Sequence, residues 1–416
     1  MNESELNQGI CVVIGASHAG VNFAFAARKE GWQGEIILID SDTNLPYHRP
    51  PLSKVYLSKS DGIESYLLKS ENSYEEARIT LRLGVSVVSI DPENNSILLQ
   101  DGEKQAYSKL VLAIGASAFI PPIPGLKEAK KVFSIRRADD VDRIKKALQK
   151  IEEKKVLIIG GGYIGLEIAA SIKKMGADVK VLEREERILS RVTATEMSTF
   201  FQELHNEQGV EILTQKNVIK IEDFEDHNKI SCSDGSQFEA DIIIVGVGIK
   251  VNCELAEEAG IHIQNGIKVD GSMKTNIENI LAIGDCTFHY NPHYDRYVRL
   301  ESVQNAVDQA KIAATTINGK EKVYDSIPWF WSDQYDVKLQ IVGLSDGYNK
   351  AIVRQEEEKK FSIWYFKDKE LLAVDAINNA KAYVLGTKFL QKKLTVDPNK
   401  IGDPSIPMKP ANFLVS

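Results

Sequence analysis

The chain has 416 residues, 43% hydrophobic and 26% charged, with a formal net charge of −8 at pH 7. This balance belongs to a folded globular protein of two or three domains and excludes a disordered or fibrous one. The acidic surplus argues against non-specific nucleic-acid binding, because a polyanionic backbone requires a basic surface.

The opening MNESELNQG is polar, with no basic start and no apolar core, so no secretory signal is expected. The first apolar run, Ile10 to Ile14, is strand-length, and no stretch approaches the roughly 20 apolar residues of a membrane span. It leads into GASHAG and the small-residue helix pattern VNFAFAARK, and IILID at 36–40 reads as the next strand, which makes a βαβ unit. A proline-rich stretch follows at 45–54 (LPYHRPPLSK), where adjacent prolines deny a helix interior. Residues 110–114 (LVLAI) read as a buried strand ending at Gly115, and Pro121, Pro122 and Pro124 mark a boundary. A charged helix is expected over about 137–153.

The first pattern then recurs. VLIIGGGYIGLEIAA begins at Val156, a helix runs to about Gly176, and VKVLERE starts at Val179. DIIIVGVG at 241–248 closes this second unit, and NILAIGD at 279–285 supplies another buried strand. From about Ser326 the texture changes: aromatics cluster in PWFWSDQYD, and 338–344, 351–355 and 361–366 alternate with the period of antiparallel strands. A helix is expected at 377–391. The expected fold is α/β, with two dinucleotide-binding βαβ domains and a third, α+β domain from about residue 326.

Two glycine-rich crossings thus carry the chemistry. Gly15 and Gly160 permit the tight turn, Gly162 lets backbone approach a pyrophosphate, and Gly20 and Gly165 let the helix pack on the sheet. The helix N-termini would offer unpaired N–H groups to phosphates. The second motif, Gly160-x-Gly162-x-x-Gly165, is complete; the first carries Ser17 at the middle position, and His18 beside it either approaches the pyrophosphate or faces solvent. Asp40 follows Gly15 by 25 residues and Glu183 follows Gly160 by 23, near the roughly 20 residues expected before a ribose-binding acid. A carboxylate there accepts from both ribose hydroxyls and repels a 2′-phosphate, so Glu183 points to NADH, with Arg184 and Arg187 nearby as a counterweight. An exposed solubilising acid is the plain alternative at either position. The four cysteines, Cys11, Cys232, Cys253 and Cys286, form no CxxC or CxxxxC pair. They read as reduced, mostly buried thiols of a cytoplasmic protein, with neither a disulfide framework nor a structural zinc site.

Taken with LPYHRPPLSKVYL (45–57), LAIGDC (281–286), ESVQNAVDQAK (301–311) and PWFWSDQY (328–335), these crossings resemble the flavoprotein ferredoxin reductases of Rieske oxygenase and bacterial cytochrome P450 systems. The likeness runs over nearly the whole chain and extends to the apoptosis-inducing-factor flavoproteins. It implies the glutathione-reductase type of fold, two Rossmann-like domains plus a C-terminal α+β domain. An FAD domain would comprise 1–118 and 249–325, an NADH domain 119–248, and a C-terminal domain 326–416. Electrons would pass from NADH to FAD and singly to a small acidic [2Fe-2S] ferredoxin.

The resemblance also implies roles residue by residue. Asp285 matches the aspartate on the flavin ribityl chain, against a turn or strand cap. Lys54 matches the lysine near the flavin ring, where a cation favours electron build-up. Arg49 is assigned to the adenine half of FAD, against a surface ion pair. Glu167 matches a glutamate near the nicotinamide carboxamide that couples to Lys54, against a helix-dipole partner. Trp331 matches the aromatic over the flavin edge, against core packing, and Tyr163 lines the nicotinamide pocket. Lys388, Lys392, Lys393 and Lys409 are candidate steering charges for a ferredoxin, against plain solvated lysines.

Two other readings compete. A disulfide-type pyridine nucleotide oxidoreductase needs a redox cysteine pair soon after the first βαβ unit, and residues 41–60 contain no cysteine, which equally disfavours an oxidase with a peroxidatic cysteine there. An interaction protein that binds FAD and NADH as a conformational switch is disfavoured by the missing organelle-targeting segment.

Overall fold

A computed structural model of the chain describes residues 8–415; the polar opening lies, up to residue 7, outside them. The chain groups into two compact units. The first runs to His48 and takes in Asp61–Ser117 and Lys250–Pro328; the second comprises Arg49–Ser60, Ala118–Ile249 and the chain from Trp329.

In the first unit a parallel sheet has the order Ile280–Ala282, Lys109–Leu112, Cys11–Ile14, Ile36–Asp40, Ile79–Leu83. The central strand is buried along its whole length, and Val12 aligns with Ile37 on one side and Leu110 on the other. A strand covered on both faces needs apolar side chains at every position, which accounts for a continuous run instead of an alternation. The following helix, His18–Glu30, stops at Gly31, whose left-handed backbone (φ 117°) returns its N–H to the carbonyls of Ala27 and Arg28. This helix packs against helix Val303–Ile317, where buried Ala306, Ala310, Ala313 and Ala314 permit close approach. Ser302 caps the latter by accepting from Asn305 N at 3.1 Å.

The second unit repeats the design. Its parallel sheet has the order Val210–Leu213, Asp178–Leu182, Lys155–Ile159, Ile242–Val245, Val132–Phe133, and the glycine-bearing strand again lies at the centre. Here the fifth strand precedes the glycine motif in sequence, whereas in the first unit Ile280–Ala282 arrives long after it. A second, antiparallel sheet has the order Trp329–Gln334, Val337–Gly343, Glu370–Ile377, Lys360–Lys367, Lys350–Glu357. Helix Ala380–Gln391 packs on its two inner neighbours, Glu370–Ile377 and Val337–Gly343.

Several expected boundaries move. The strand expected at 110–114 ends at Leu112, and the helix expected over 137–153 ends at Gln149. The helix expected from 377 begins at Ala380, because Ile377 completes a strand, Asn378 is left-handed (φ 47°), and the Asn379 side chain caps the helix through Ala382 N. Asp285, expected at a strand end, lies in the short 3₁₀ turn Gly284–Cys286. The segment Arg49–Ser60, read as part of the first FAD stretch, groups with the second unit. Tyr56 donates to Asp142 at 2.8 Å, and Ser171 donates to the Ser53 carbonyl at 2.7 Å. Among the described residues, no helix is long and apolar enough to cross a membrane.

Candidate functional site

The two crossings agree atom for atom. Gly15 N donates to Ile39 O at 2.7 Å, and Gly160 N donates to Leu182 O at 2.8 Å. Both glycines are left-handed, with φ of 105° and 109°, and a Cβ at either would strike a neighbouring carbonyl, Ala113 O at 2.2 Å or Gly246 O at 2.5 Å. Five residues after each first glycine the helix crosses its own strand end: a Cβ at Gly20 would sit 1.9 Å from Gly15 O, and one at Gly165 would sit 2.1 Å from Gly160 O. A Cβ at Gly162 would meet nothing within 4 Å, so this position faces open space. Ser17 and Gly162 are the N-caps of their helices, neither helix has a side-chain cap, and neither has an acid in its first turn. Such termini leave N–H groups and a positive dipole end to an anionic ligand.

The two acids also match. Ala16 N donates to Asp40 Oδ2 at 2.6 Å and Asp42 N to Oδ1 at 2.8 Å. Gly161 N donates to Glu183 Oε2 at 2.6 Å and Glu185 N to Oε1 at 2.9 Å. Each carboxylate is therefore fixed beside its glycine turn by one bond per oxygen, and an ionised carboxylate retains further acceptor sites. Those remaining sites fit the two hydroxyls of a ribose.

In the first unit, Gly15, Ser17, His18, Gly20, Asp40 and Asp285 come together on one sheet end. The Asp285 turn is set against the first helix, since a Cβ at Gly284 would lie 3.0 Å from Ala19 Cβ. Its backbone is anchored from below: Gly284 N donates to Gln309 Oε1 at 2.7 Å, and Thr287 Oγ1 donates to the same oxygen at 3.0 Å. His18 is buried and does not face solvent; its Nε2 lies 3.3 Å from Nδ1 of His48.

In the second unit, Glu167 lies beyond the first turn of helix Tyr163–Lys174 and is 2% exposed, which removes the helix-dipole reading. Its Oε2 accepts from Lys54 Nζ and from Ser53 Oγ, both at 2.6 Å, and its Oε1 accepts from Ser332 Oγ at 2.6 Å. A buried charge is tolerated only with such pairing. Arg49 lies in the same unit and donates to the carbonyl of Arg136. Ser332 and Gln334 are buried on strand Trp329–Gln334, and half-buried Trp331 stands on the opposite face, 5.5 Å from the Trp329 ring. The alternate face carries Phe330, whose ring lies 5.0 Å from that of Tyr163. The Tyr163 hydroxyl is buried with no hydrogen-bond partner. Burial first, and the charge of Asp375 second, hold its pKa well above the usual phenol range, so it stays a donor. An orphaned buried donor beside an open glycine turn fits a ligand with an acceptor group.

The sequence did not point to Ser53, Ser332 or a second buried cluster in this unit. Asp375 Oδ2 accepts from Thr193 Oγ1 and Tyr365 OH, each at 2.6 Å, and the Tyr365 hydroxyl accepts from Ala194 N at 3.1 Å. Burial pushes the Asp375 carboxyl up to about 6. Only the alternation of 329–334 could have marked Ser332 as inward-facing. Nothing in the local pattern marks Asp375, which interrupts an apolar strand.

Burial pushes the thiol pKa up at all four cysteines, to about 12 at Cys11 and Cys286. A thiol so held is a poor nucleophile at neutral pH.

Comparison with known proteins agrees with this geometry. Residues 10–310 match the family model for pyridine nucleotide-disulphide oxidoreductases, and residues 329–412 match the reductase C-terminal model. Putidaredoxin reductase of Pseudomonas putida is 39% identical over 404 residues, 96% of this chain and 95% of that protein. A ferredoxin–NAD(P)(+) reductase of Sphingomonas is 37% identical over 407 residues, 97% of each. The crystal structure of the covalent putidaredoxin reductase–putidaredoxin complex superposes with a TM-score of 0.92 at 38% identity, covering 96% of this chain and 97% of that one.

Proposed function

We propose that this chain, which belongs to the pyridine nucleotide-disulphide oxidoreductase family, is an FAD-dependent NADH:ferredoxin reductase supplying a small acidic [2Fe-2S] ferredoxin of a Rieske oxygenase or cytochrome P450 system. The observation that carries the reading is the doubled crossing, in which a glycine turn, an uncapped helix and a strand-end acid bonded back to the turn recur in each unit. When bound, FAD takes electrons in pairs from a nicotinamide and releases them singly.

The first crossing would receive FAD, with Gly15, Ser17, His18 and Gly20 at the pyrophosphate, Asp40 at the ribose and Asp285 at the ribityl chain. Arg49 is assigned to its adenine half. The second would receive NADH, with Gly160, Gly162 and Gly165 at its pyrophosphate, Glu183 at its ribose and Tyr163 in the nicotinamide pocket. NADH is favoured over NADPH because Arg187 is already engaged, donating to Ser198 Oγ on helix Thr195–Glu207 at 2.6 Å and to Ser190 O at 2.9 Å, and Arg184 pairs with Glu185 at 2.7 Å. Lys54 would supply positive charge for a reduced flavin ring, Glu167 would hold that ammonium group in place, and Trp331 would cover the ring edge. The domain limits are proposed at 1–118 with 249–325 for FAD, 119–248 for NADH and 326–416 for the C-terminal domain. Exposed Lys388, Lys392, Lys393 and Lys409 would steer an acidic partner. Four free cysteines accord with a cytoplasmic location, and their raised pKa values weigh against a dithiol relay.

The test is steady-state turnover of the FAD-loaded protein with NADH, comparing an added [2Fe-2S] ferredoxin with cytochrome c alone. Ferredoxin-dependent turnover is expected. A flavin that NADH reduces slowly, with no acceleration by ferredoxin, would overturn the reading.

A further inference from the structure

Glu167 is the end of a longer buried chain of hydrogen bonds. Ser332 Oγ donates to Glu167 Oε1 at 2.6 Å, and Gln334 Nε2 donates to Ser332 Oγ at 3.3 Å. Gln334 Oε1 lies 2.8 Å from His205 Nε2, and the Tyr335 hydroxyl lies 3.2 Å from His205 Nδ1. His205 and Ser332 are 0% exposed and Gln334 is 1% exposed, so water does not compete for these bonds. His205 sits on helix Thr195–Glu207, far along the chain from both Glu167 and Lys54.

With the Gln334 amide oxygen toward His205, the direction of each proton follows from what each atom can do. An amide oxygen only accepts, so His205 Nε2 carries the hydrogen and Nδ1 accepts from Tyr335. The Gln334 amide is then held with its NH₂ toward Ser332, and the Ser332 hydroxyl has its single proton left for Glu167. Reversing the Gln334 amide would present its oxygen to Ser332, turn the serine proton away, and remove one donor from the carboxylate. Burial holds His205 at about 4, so the ring stays neutral at physiological pH and keeps one donor and one acceptor. The amide of Gln334 also interrupts any proton wire, because it cannot pass on a proton without leaving its stable form. The array therefore orients and does not conduct.

We propose that His205 is a positioning residue for the Lys54–Glu167 pair: by locking the Gln334 amide it commits the Ser332 hydroxyl to Glu167 and holds that carboxylate in place against Lys54. The proposal rests on the reading that this pair serves flavin reduction. The charged and titratable groups along the array are Lys54 on Glu167, His205 and Tyr335 at the far end, and Lys174, whose ammonium lies 5.7 Å from the Tyr335 ring centroid.

The experiment is single-turnover flavin reduction by NADH in the FAD-loaded full-length protein, with the rate constant followed over a range of NADH concentration so that binding and reduction separate. Glu167→Gln should slow reduction at saturating NADH by about tenfold or more. His205→Leu and Ser332→Ala should each slow it by about tenfold with the apparent affinity for NADH unchanged, the effect of losing one hydrogen bond to a charged acceptor. The double variant should be no slower than Ser332→Ala, and His205→Gln, which restores an N–H donor, should recover most of the wild-type rate. A wild-type rate in His205→Leu, with Glu167→Gln still slow, overturns the positioning role alone. A Glu167→Gln rate identical to wild type overturns the role of the pair in flavin reduction and the inference with it. Should His205→Leu fail to fold, ¹⁵N-histidine labelling of the wild-type holoenzyme decides the question: an Nε2-protonated, pH-insensitive ring at His205 supports the array, and an Nδ1-protonated ring overturns it.

Discussion

Removing Lys54 should harm the fold more than removing the charge it neutralises. Glu167 has a side chain 1% exposed, whereas that of Lys54 is 18% exposed, and the two meet at 2.6 Å. An effective dielectric of about 20 makes a pair with charge centres roughly 4 Å apart worth about 4 kcal/mol. Lys54→Met leaves the carboxylate buried with Ser53 and Ser332 as donors, so about 3 kcal/mol should be lost, at the low end of the range for breaking a buried pair. Glu167→Gln keeps the shape and leaves an ammonium group that can turn partly to water, so about 1 kcal/mol should be lost. The double variant should recover most of the Lys54→Met loss, because no uncompensated charge remains. Urea unfolding of FAD-saturated protein, followed by tryptophan emission, reports on this directly, since Trp329, Trp331 and Trp364 lie in the second unit. Glu167→Gln at least as damaging as Lys54→Met, or an additive double variant, would refute the argument.

The glycines separate folding from ligand contact. Gly165→Ala puts a Cβ 2.1 Å from Gly160 O and should abolish NADH binding together with a large fall in melting temperature, whereas Gly162→Ala meets nothing within 4 Å and should keep the wild-type melting temperature. Gly162→Ala should nevertheless weaken NADH roughly tenfold by titration, about 1.4 kcal/mol, through the ligand alone. The buried Asp375 predicts a pH effect on stability. Its folded pKa of about 6 lies above that of an unfolded aspartate, so its contribution is complete below about pH 4 and is lost as pH rises through 6. Asp375→Asn should therefore gain up to about 3 kcal/mol on the wild type at neutral pH and nothing under acid, as read from melting curves across that window. A difference that does not change with pH would show that Asp375 is not buried in its charged form.

The sequence was legible where the chemistry is local. Continuous apolar runs at 11–14 and 156–159 mark central parallel strands because such strands have no solvent face, and glycine at 15 and 160 permits the left-handed turns found there. Asp40 and Glu183 were found by counting, since one strand, one helix and one strand fix their distance from the turn. Boundaries set by competition were less legible: Asn378 and Asn379 divide a strand from a helix, and both elements are apolar on either side.

What the sequence determined by itself is that two glycine crossings with matching acids stand in one chain, because the spacing within a βαβ unit is a property of the chain's own geometry. Tertiary structure decided the rest of the site. Residues as far apart in sequence as Lys54, Glu167 and Ser332 meet within hydrogen-bonding distance only once strand Trp329–Gln334 is placed beside helix Tyr163–Lys174. Periodicity could indicate that Ser332 points inward, yet which carboxylate it meets, and that His205 stands behind it, depends on long-range packing, which leaves no trace in a local pattern.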